Sequence, residues 1–108
     1  MQAAEIRGKE LLASVGLADK INRFPGQLSV GECQRAAVIR ALINEPILLL
    51  ADEPTGSLDH NSAQTLGELL REINIKFSIA LVVVTHSAEL SGLMKSQYQI
   101  DNGKLIKK

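Results

Sequence analysis

Two stretches in the first half of the chain carry apolar residues at helical spacing. The first covers residues 4–15 and is followed by Gly16, which suits the left-handed residue that ends many helices. The second begins at Ser29, because the spacing from Ser29 to Glu32 is that of a capping box, and Pro46 stops it. These patterns predict two helices. The apolar face of the second is expected at Ala37, Val38, Ala41 and Leu42.

Further along, two short apolar runs flank a third helical pattern. The runs at 47–51 and 80–85 lack alternation, as expected for strands covered on both faces of a sheet. Asp59 or Asn61 is expected to cap the helix between them. Its apolar face consists of Leu66, Leu69, Leu70, Ile73 and Phe77. Strand, helix and strand predict a right-handed parallel unit whose carboxyl ends share one edge, the edge where open α/β sheets bind ligands.

The end of the chain predicts a β-hairpin. Residues 98–106 form two short runs around Asn102 and Gly103. Asn-Gly supplies the positive φ angles of a tight type I′ turn.

Composition restricts the class of protein. The chain has 108 residues, of which 45% are hydrophobic, which describes one small globular domain or a piece of a larger one. It has no apolar run long enough for a membrane helix. Twelve basic and twelve acidic residues give zero net charge, which argues against nucleic acid as a partner. Cys33 is the only cysteine, so an internal disulfide or a cysteine zinc cluster is excluded. The first residues carry no secretion signal pattern, and we expect a cytoplasmic chain.

Charge is unevenly distributed along the chain. No Lys or Arg occurs between Arg40 and Arg71, and this interval contains the acidic residues Glu45, Asp52, Glu53, Asp59 and Glu68. Such a cluster indicates either a solvated surface or a site for a cation.

Three polar residues follow the predicted strands and are candidates for chemistry. Asp52 and Glu53 end the first strand, and His86 follows the second. The alternative is that any strand must end in polar residues. Because parallel strands align their carboxyl ends, we expect these three side chains at one edge.

The start of the second helix is a candidate anion site. Free backbone N–H groups and the helix dipole favour negative charge there, and Gly31 leaves room for a phosphate beside Ser29. The alternative is a capped helix with no ligand. Arg35 and Arg40 suit either phosphate contacts or a solvated helix surface.

The order of these motifs resembles the second half of an ATP-binding cassette (ABC) ATPase. The chain reads L-S-V-G-E at 28–32, Q-R at 34–35, A-D-E-P-T-G-S-L-D at 51–59 and V-T-H at 84–86. The sequence of residues 51–59 is most similar to that of ATPase subunits that power lipoprotein release or macrolide export. The resemblance implies an α/β chain with part of a P-loop NTPase fold, in which parallel strands are flanked by helices.

The resemblance also implies roles for the candidate residues. Ser29, Gly31 and Glu32 would form the signature motif, which contacts ATP held by the opposite cassette of a head-to-tail dimer. Asp52 would position Mg²⁺, Glu53 would be the general base, and His86 would sense the γ-phosphate. Ser57 and Asp59 would belong to the loop that couples the two sites. The implied division is a helical part with the signature at residues 1–45 and the second half of the nucleotide-binding core at 46–108.

Two departures from the family pattern stand out. Val30 occupies a position where the signature usually has glycine. No G-x-x-x-x-G-K-S/T sequence occurs, so the P-loop strand is missing and we expect the chain to be inactive by itself. In this family the P-loop strand lies beside the strand that precedes the histidine, so its loss would leave residues 79–84 as an unpaired apolar edge, which predicts marginal stability or association.

The leading interpretation is therefore a fragment of the ATP-binding subunit of an ABC transporter. It would use ATP and Mg²⁺, pair with a second ABC ATPase subunit and act through a transmembrane permease at the inner face of the membrane. An alternative is a truncated, non-catalytic cassette that serves as an interaction module for a full-length ATPase. A cassette of the translation or DNA-repair type is a third interpretation.

Overall fold

The computed structural model describes residues 3–108. Its helices are α1 (Ala3–Ser14), α2 (Val30–Leu42), α3 (His60–Phe77) and α4 (Ala88–Gly92), and its strands are β1 (Leu48–Asp52), β2 (Ala80–Val84), β3 (Tyr98–Asp101) and β4 (Lys104–Lys107). Two 3₁₀ turns, Ala18–Lys20 and Pro25–Gln27, lie in the predicted loop between α1 and α2. The three long helices, the two apolar strands and the hairpin are confirmed; the short helix α4 was not predicted.

A local signal ends α1, whereas a residue of α1 stabilises the end of α2. Gly16 lies beyond α1 with a φ of 77°, as its position predicted. At the far end of α2, the Arg7 guanidinium of α1 donates hydrogen bonds to the carbonyl oxygens of Leu42 and Ile43, at 3.2 Å each. Arg7 Nη1 also lies 2.9 Å from Glu45 Oε1. Arg7 therefore joins α1 to the carboxyl end of α2, where carbonyl groups lack partners within the helix.

β1 and β2 form a parallel two-stranded sheet connected through α3. The register pairs Leu48 with Ala80 and Asp52 with Val84. Asp59, one of the two predicted caps, accepts a hydrogen bond from the Ser62 N–H and begins α3. The parallel order is therefore confirmed.

The prediction that this sheet is covered on both faces is wrong for the described chain. Leu49 is buried, whereas Leu50 on the opposite face is 69% exposed and its register partner Val82 is 50% exposed. Leu48 and Val84 are also exposed. The helices of residues 3–108 cover one face only, so the apolar residues of the other face remain in contact with solvent. We call Leu48, Leu50, Val82 and Val84 the open face.

The core lies between the covered face of the sheet and the three long helices. Its buried members are Leu11, Ile39, Leu42, Leu49, Leu70, Ile73 and Ile79. In α2 the buried face contains Ile39 and Leu42, whereas Ala37 and Ala41 are exposed. The prediction that both alanines belong to the buried face is therefore wrong, because burying a large side chain removes more apolar surface from water than burying alanine. Phe77, expected in the α3 face, is 40% exposed at the helix end.

Close packing joins α4 to α3. A Cβ atom added at Gly67 would lie 2.8 Å from Leu93 Cδ1 and 3.3 Å from Leu90 Cδ1. A side chain at position 67 would therefore displace the leucines that follow β2.

The hairpin of β3 and β4 is antiparallel and turns at Asn102 and Gly103. Their φ angles of 50° and 75° are both positive, which confirms the type I′ geometry expected from Asn-Gly.

Within residues 3–108, no helix combines the length and the apolar character that crossing a membrane requires.

Candidate functional site

The parallel register brings the ends of β1 and β2 to the same edge. The Glu53 N–H donates to the Val84 carbonyl oxygen at 2.7 Å, so the ladder continues one residue beyond β1. Glu53 follows directly after β1, and His86 lies two residues after the end of β2. The predicted meeting of these two residues is thus present in the structure.

The Glu53 carboxylate is held by two donors from the end of β2. The His86 backbone N–H donates to Oε1 at 2.7 Å, and the Thr85 hydroxyl donates to Oε2 at 3.2 Å. The Thr85 oxygen also accepts a hydrogen bond from the Ser87 N–H at 3.0 Å. Because one donor contacts each carboxylate oxygen, both the position and the rotation of the group are restrained.

Glu53 has a left-handed backbone conformation, with a φ of 45°. Such angles are costly for residues with a Cβ atom and occur frequently at functional sites. Its carbonyl oxygen accepts a hydrogen bond from the Gly56 N–H at 3.2 Å, and its own N–H is bonded to Val84. These bonds on both sides of Glu53 maintain the strained conformation.

The His86 imidazole is fully exposed and lies near the same carboxylate. Nε2 is 3.8 Å from Glu53 Oε1. An exposed pair at this distance contributes little to stability. The ring is therefore free to bind a ligand at the edge, while the backbone of His86 fixes Glu53.

Asp52 ends β1 on the exposed side and is paired in register with Val84. Among the described residues no group of three or more His, Cys, Asp or Glu side chains is arranged to hold a metal ion. Mg²⁺ usually takes one or two carboxylates and completes its shell with substrate phosphates and water. The carboxylate of Asp52 therefore fits Mg²⁺ only as part of a complex with a phosphate ligand.

The loop after Glu53 leads to the cap of α3. Thr55 is buried, and its carbonyl oxygen accepts from the Leu58 N–H at 3.1 Å, while Ser57 is exposed. Asp59 Oδ1 accepts from the Ser62 N–H at 2.8 Å. This bond is the main reason that the pKa of Asp59 lies below its ordinary value.

The start of α2 is a complete capping box. The Glu32 N–H donates to Ser29 Oγ at 3.1 Å, and the Ser29 N–H donates to Glu32 Oε1 at 3.0 Å. The bond from the Ser29 N–H is the leading cause of the lowered pKa of Glu32. The charge of Lys20, whose Nζ lies 3.9 Å from Glu32 Oε2, lowers this pKa further. The side chain of Val30 in the first turn is 56% exposed. The predicted cap is thus confirmed; an anion at this helix end remains a prediction.

Gly31 is buried against α3. A Cβ atom at this position would lie 3.3 Å from Ser62 Oγ and 3.5 Å from Arg35 Nη1. The sequence analysis expected glycine here to admit a phosphate, and the structure adds a second reason, which is the close approach of two helices.

The predicted residues thus occupy two places. Glu53 and His86 are in contact at the sheet edge, with Asp52 adjacent. The hydrogen bonds of Ser29 and Glu32 in the described chain stay within the α2 cap. Asp59 is linked to the start of α2 through Ser62, which donates to Asp59 and lies beside Gly31.

Thr85 and Ser62 received no role from the sequence. The available signal for Thr85 was its place between a β-branched run and His86. Ser62 follows Asp59 by three residues, the position whose backbone N–H a capping side chain binds, and this spacing says nothing of its side chain.

The sequence model that describes ABC transporters matches residues 3–56. The lipoprotein-releasing system ATP-binding protein LolD of Bordetella avium is 45% identical over 103 residues, which are 95% of this chain and 45% of that protein. LolD of Hydrogenovibrio crunogenus is 48% identical over 103 residues, with the same coverage. The chain therefore spans less than half the length of these curated relatives.

Solved structures of nucleotide-binding cassettes share the fold. The dimeric bacterial ABC transporter cassette MJ0796 is 34% identical and has a TM-score of 0.78. The match covers 97% of this chain and 47% of the MJ0796 chain. The same cassette in a post-hydrolysis state, bound to ADP and Pi, matches with 33% identity. The cassette MJ1267 has a TM-score of 0.89 over 98% of the chain and, at 21% identity, supports the fold alone.

Proposed function

This chain belongs to the ABC transporter family, and we propose that it forms part of an ATP-binding subunit that couples ATP binding and hydrolysis to transport across a membrane. The observation that carries the proposal is the Glu53 carboxylate, held between the Thr85 hydroxyl and the His86 N–H at the carboxyl edge of a parallel sheet. That edge is where this class of fold binds ligands.

Glu53 is proposed as the general base. Its two donors leave further lone pairs on the carboxylate, so the group can accept a proton from a water molecule and orient it for in-line attack. Because the carboxylate is fixed before any ligand arrives, little reorganisation is needed.

Mg²⁺ and ATP, when bound, supply the transferable phosphoryl group and neutralise part of its charge. Asp52 would provide a carboxylate oxygen for the cation or for its water. The exposed His86 ring would donate a hydrogen bond to a phosphate oxygen. Neither role requires a covalent enzyme intermediate.

The surface around the amino end of α2 is proposed to face another cassette. Ser29, Gly31 and Glu32 lie at the amino end of the 13-residue helix α2, where backbone N–H groups and the dipole favour an anion. Ser57 and Asp59 would join the same interface. In this proposal residues 1–45 provide the contact across the dimer and residues 46–108 provide the catalytic edge.

We also propose a transmembrane permease as the membrane partner. The curated relatives are named as ATP-binding proteins of a lipoprotein-releasing system. A chain with the same assembly would lie in the cytoplasm, at the inner face of the membrane, through its contact with the permease.

A second candidate function is that of a non-catalytic interaction module. It is favoured by the absence of any G-x-x-x-x-G-K-S/T sequence in these 108 residues. Such a chain would present the amino end of α2 to a complete ATPase without binding the phosphates of ATP itself.

A chimera tests the catalytic proposal. This chain replaces the matching part of the Bordetella avium relative, and ATP hydrolysis is compared with that of the Glu53→Gln variant. We expect kcat to fall about 10²-fold or more, with nucleotide binding retained, because the amide cannot accept the proton. Equal turnover in two folded proteins, judged by circular dichroism, would exclude Glu53 as the base.

The unmodified chain separates the two candidates. As an interaction module, it should raise the ATPase rate of the full-length relative when added in excess. A Ser29→Ala/Gly31→Glu variant should not, because the α2 surface is then blocked. No change in rate with the unmodified chain would exclude the module.

A further inference from the structure

The first turns of α2 and α3 are in contact at Gly31 and Ser62. A Cβ atom at Gly31 would approach Ser62 Oγ to 3.3 Å and Ser62 Cβ to 3.4 Å. Nine in ten Cβ contacts in proteins are longer than the first distance. A methyl group at position 31 would thus displace Ser62 or α2 by a few tenths of an ångström.

Ser62 takes part in a second interaction. Its N–H is the donor that holds the Asp59 carboxylate at 2.8 Å. Gly31 lies inside the Ser29–Glu32 capping box on the other helix. The Ser62 side chain therefore lies against the capped turn of α2, while the same residue fixes the Asp59 cap of α3 with its N–H and its hydroxyl.

We propose that Ser62 is a positioning residue that couples the Ser29–Glu32 turn to the loop carrying Ser57 and Asp59, so that the two segments shift together. The meaning of this coupling rests on the proposed function, which assigns both segments to one interface with a second cassette. The coupling itself is a property of this chain and is reciprocal, because a shift at one turn must be felt at the other.

Each turn has a carboxylate that reports on its own cap. Hydrogen bonds from the Ser62 N–H and, second, from the Ser62 hydroxyl hold the pKa of Asp59 low, with a smaller contribution from the charge of His60. The Ser29 N–H holds the pKa of Glu32 low, with smaller contributions from Lys20 and Arg35. Loosening a cap therefore moves the titration of its carboxylate upward.

The first test perturbs α2 and measures α3. In the Gly31→Ala variant of the full chain, carbon-13 NMR should show the Asp59 titration midpoint displaced upward toward the ordinary value of 3.8. Ser62→Gly by itself should raise the Asp59 midpoint, because it removes the Ser62 hydroxyl, whose hydrogen bond also lowers this pKa. In the Ser62→Gly background, Gly31→Ala should therefore cause no further displacement, because the two Ser62 atoms that the new methyl group would contact are absent. Gly92→Ala is the control, since no atom lies within 4 Å of that Cβ position.

The second test works in the opposite direction. Ser62→Val enlarges the side chain against Gly31, and the Glu32 midpoint should move upward toward 4.5. It also keeps the proposal testable if Gly31→Ala does not fold. Unchanged midpoints in the folded variants would overturn the coupling. Because neither measurement involves ATP, loss of the catalytic proposal would leave this result intact.

Discussion

The backbone amide of His86 donates to Glu53 Oε1 at 2.7 Å, although the two residues are 33 positions apart in the chain. The same carboxylate oxygen lies 3.8 Å from His86 Nε2. One residue thus fixes the proposed base through its backbone and offers an exposed ring to the ligand. Mutation of the His86 side chain removes only the ring that would contact the ligand. Mutation of Thr85 removes only a hydrogen bond that holds the Glu53 carboxylate.

Thr85→Val should lower the catalytic rate without weakening substrate binding. It removes the hydroxyl that donates to Glu53 Oε2. Hydrogen bonds to charged groups contribute about 1.5–3 kcal/mol, so kcat in the chimera should fall about tenfold or more. KM should stay unchanged, because Thr85 is not proposed to touch the nucleotide. Thr85→Ser retains the hydroxyl and should recover most of the rate; a Ser variant as slow as Val would contradict the positioning role.

Arg7→Ala should destabilise the chain by about 1–3 kcal/mol, because the Ile43 carbonyl oxygen loses the Arg7 donor and the Leu42 carbonyl oxygen keeps only the Glu45 N–H. Urea unfolding at pH 7 measures this change. Glu45→Gln is the matched control, because it removes the charge pair and leaves those donors in place. An exposed pair contributes at most about 1 kcal/mol, so the control should lose less. Equal losses would show that the pair, not the carbonyl contacts, dominates.

Acid should weaken the fold through the two helix caps. The pKa values of Glu32 and Asp59 are lowered in the folded chain from ordinary values of 4.5 and 3.8. The folded state therefore binds protons less readily, and the stabilisation is present above these ordinary values and lost as the pH falls through the lowered ones. Unfolding midpoints in urea should decrease over this acid range.

The Glu32→Gln/Asp59→Asn variant provides the control for the acid prediction. Gln and Asn retain capping geometry but carry no titrating carboxyl. The variant should lose less stability on acidification than the unmodified chain. A parallel decline in both proteins would assign the acid effect to other carboxylates.

The open face should drive self-association of the isolated chain. Leu50 and Val82 are opposite each other and exposed on a parallel sheet, whose apolar residues normally lie under cover. Sedimentation velocity should show larger species as the concentration rises, and Leu50→Thr/Val82→Thr should reduce them. Leu105→Thr, which changes an equally exposed hairpin residue, should not. Equal unfolding midpoints at widely different concentrations would contradict the association.

Much of the local structure could be predicted because its determinants are close together in the chain. The Ser29 and Glu32 side chains reach N–H groups three residues away, and Asn102-Gly103 fixes a turn by its own backbone preferences. The order of the motifs was equally readable, and it led to the family that the comparisons support.

The contact between Glu53 and His86 was predictable only in outline. Two polar strand ends indicated one edge, but the donors of the carboxylate follow from the register that pairs Asp52 with Val84. Slipping that register by one residue would move both donors, and the register is set by core packing on α3. The positive φ of Glu53 also has no local signal, because the residue is neither glycine nor asparagine.

The sequence by itself determined the three long helices, the two apolar strands, the caps of α2 and α3, the hairpin turn and the family, since each depends on neighbouring residues or on residue type and order. Tertiary structure alone decided that one face of the sheet is open, that Thr85 holds Glu53, and that Gly31 packs on Ser62. These features depend on which surfaces meet in space. Packing selects those surfaces by burying the largest apolar side chains together, and no short stretch of sequence contains that information.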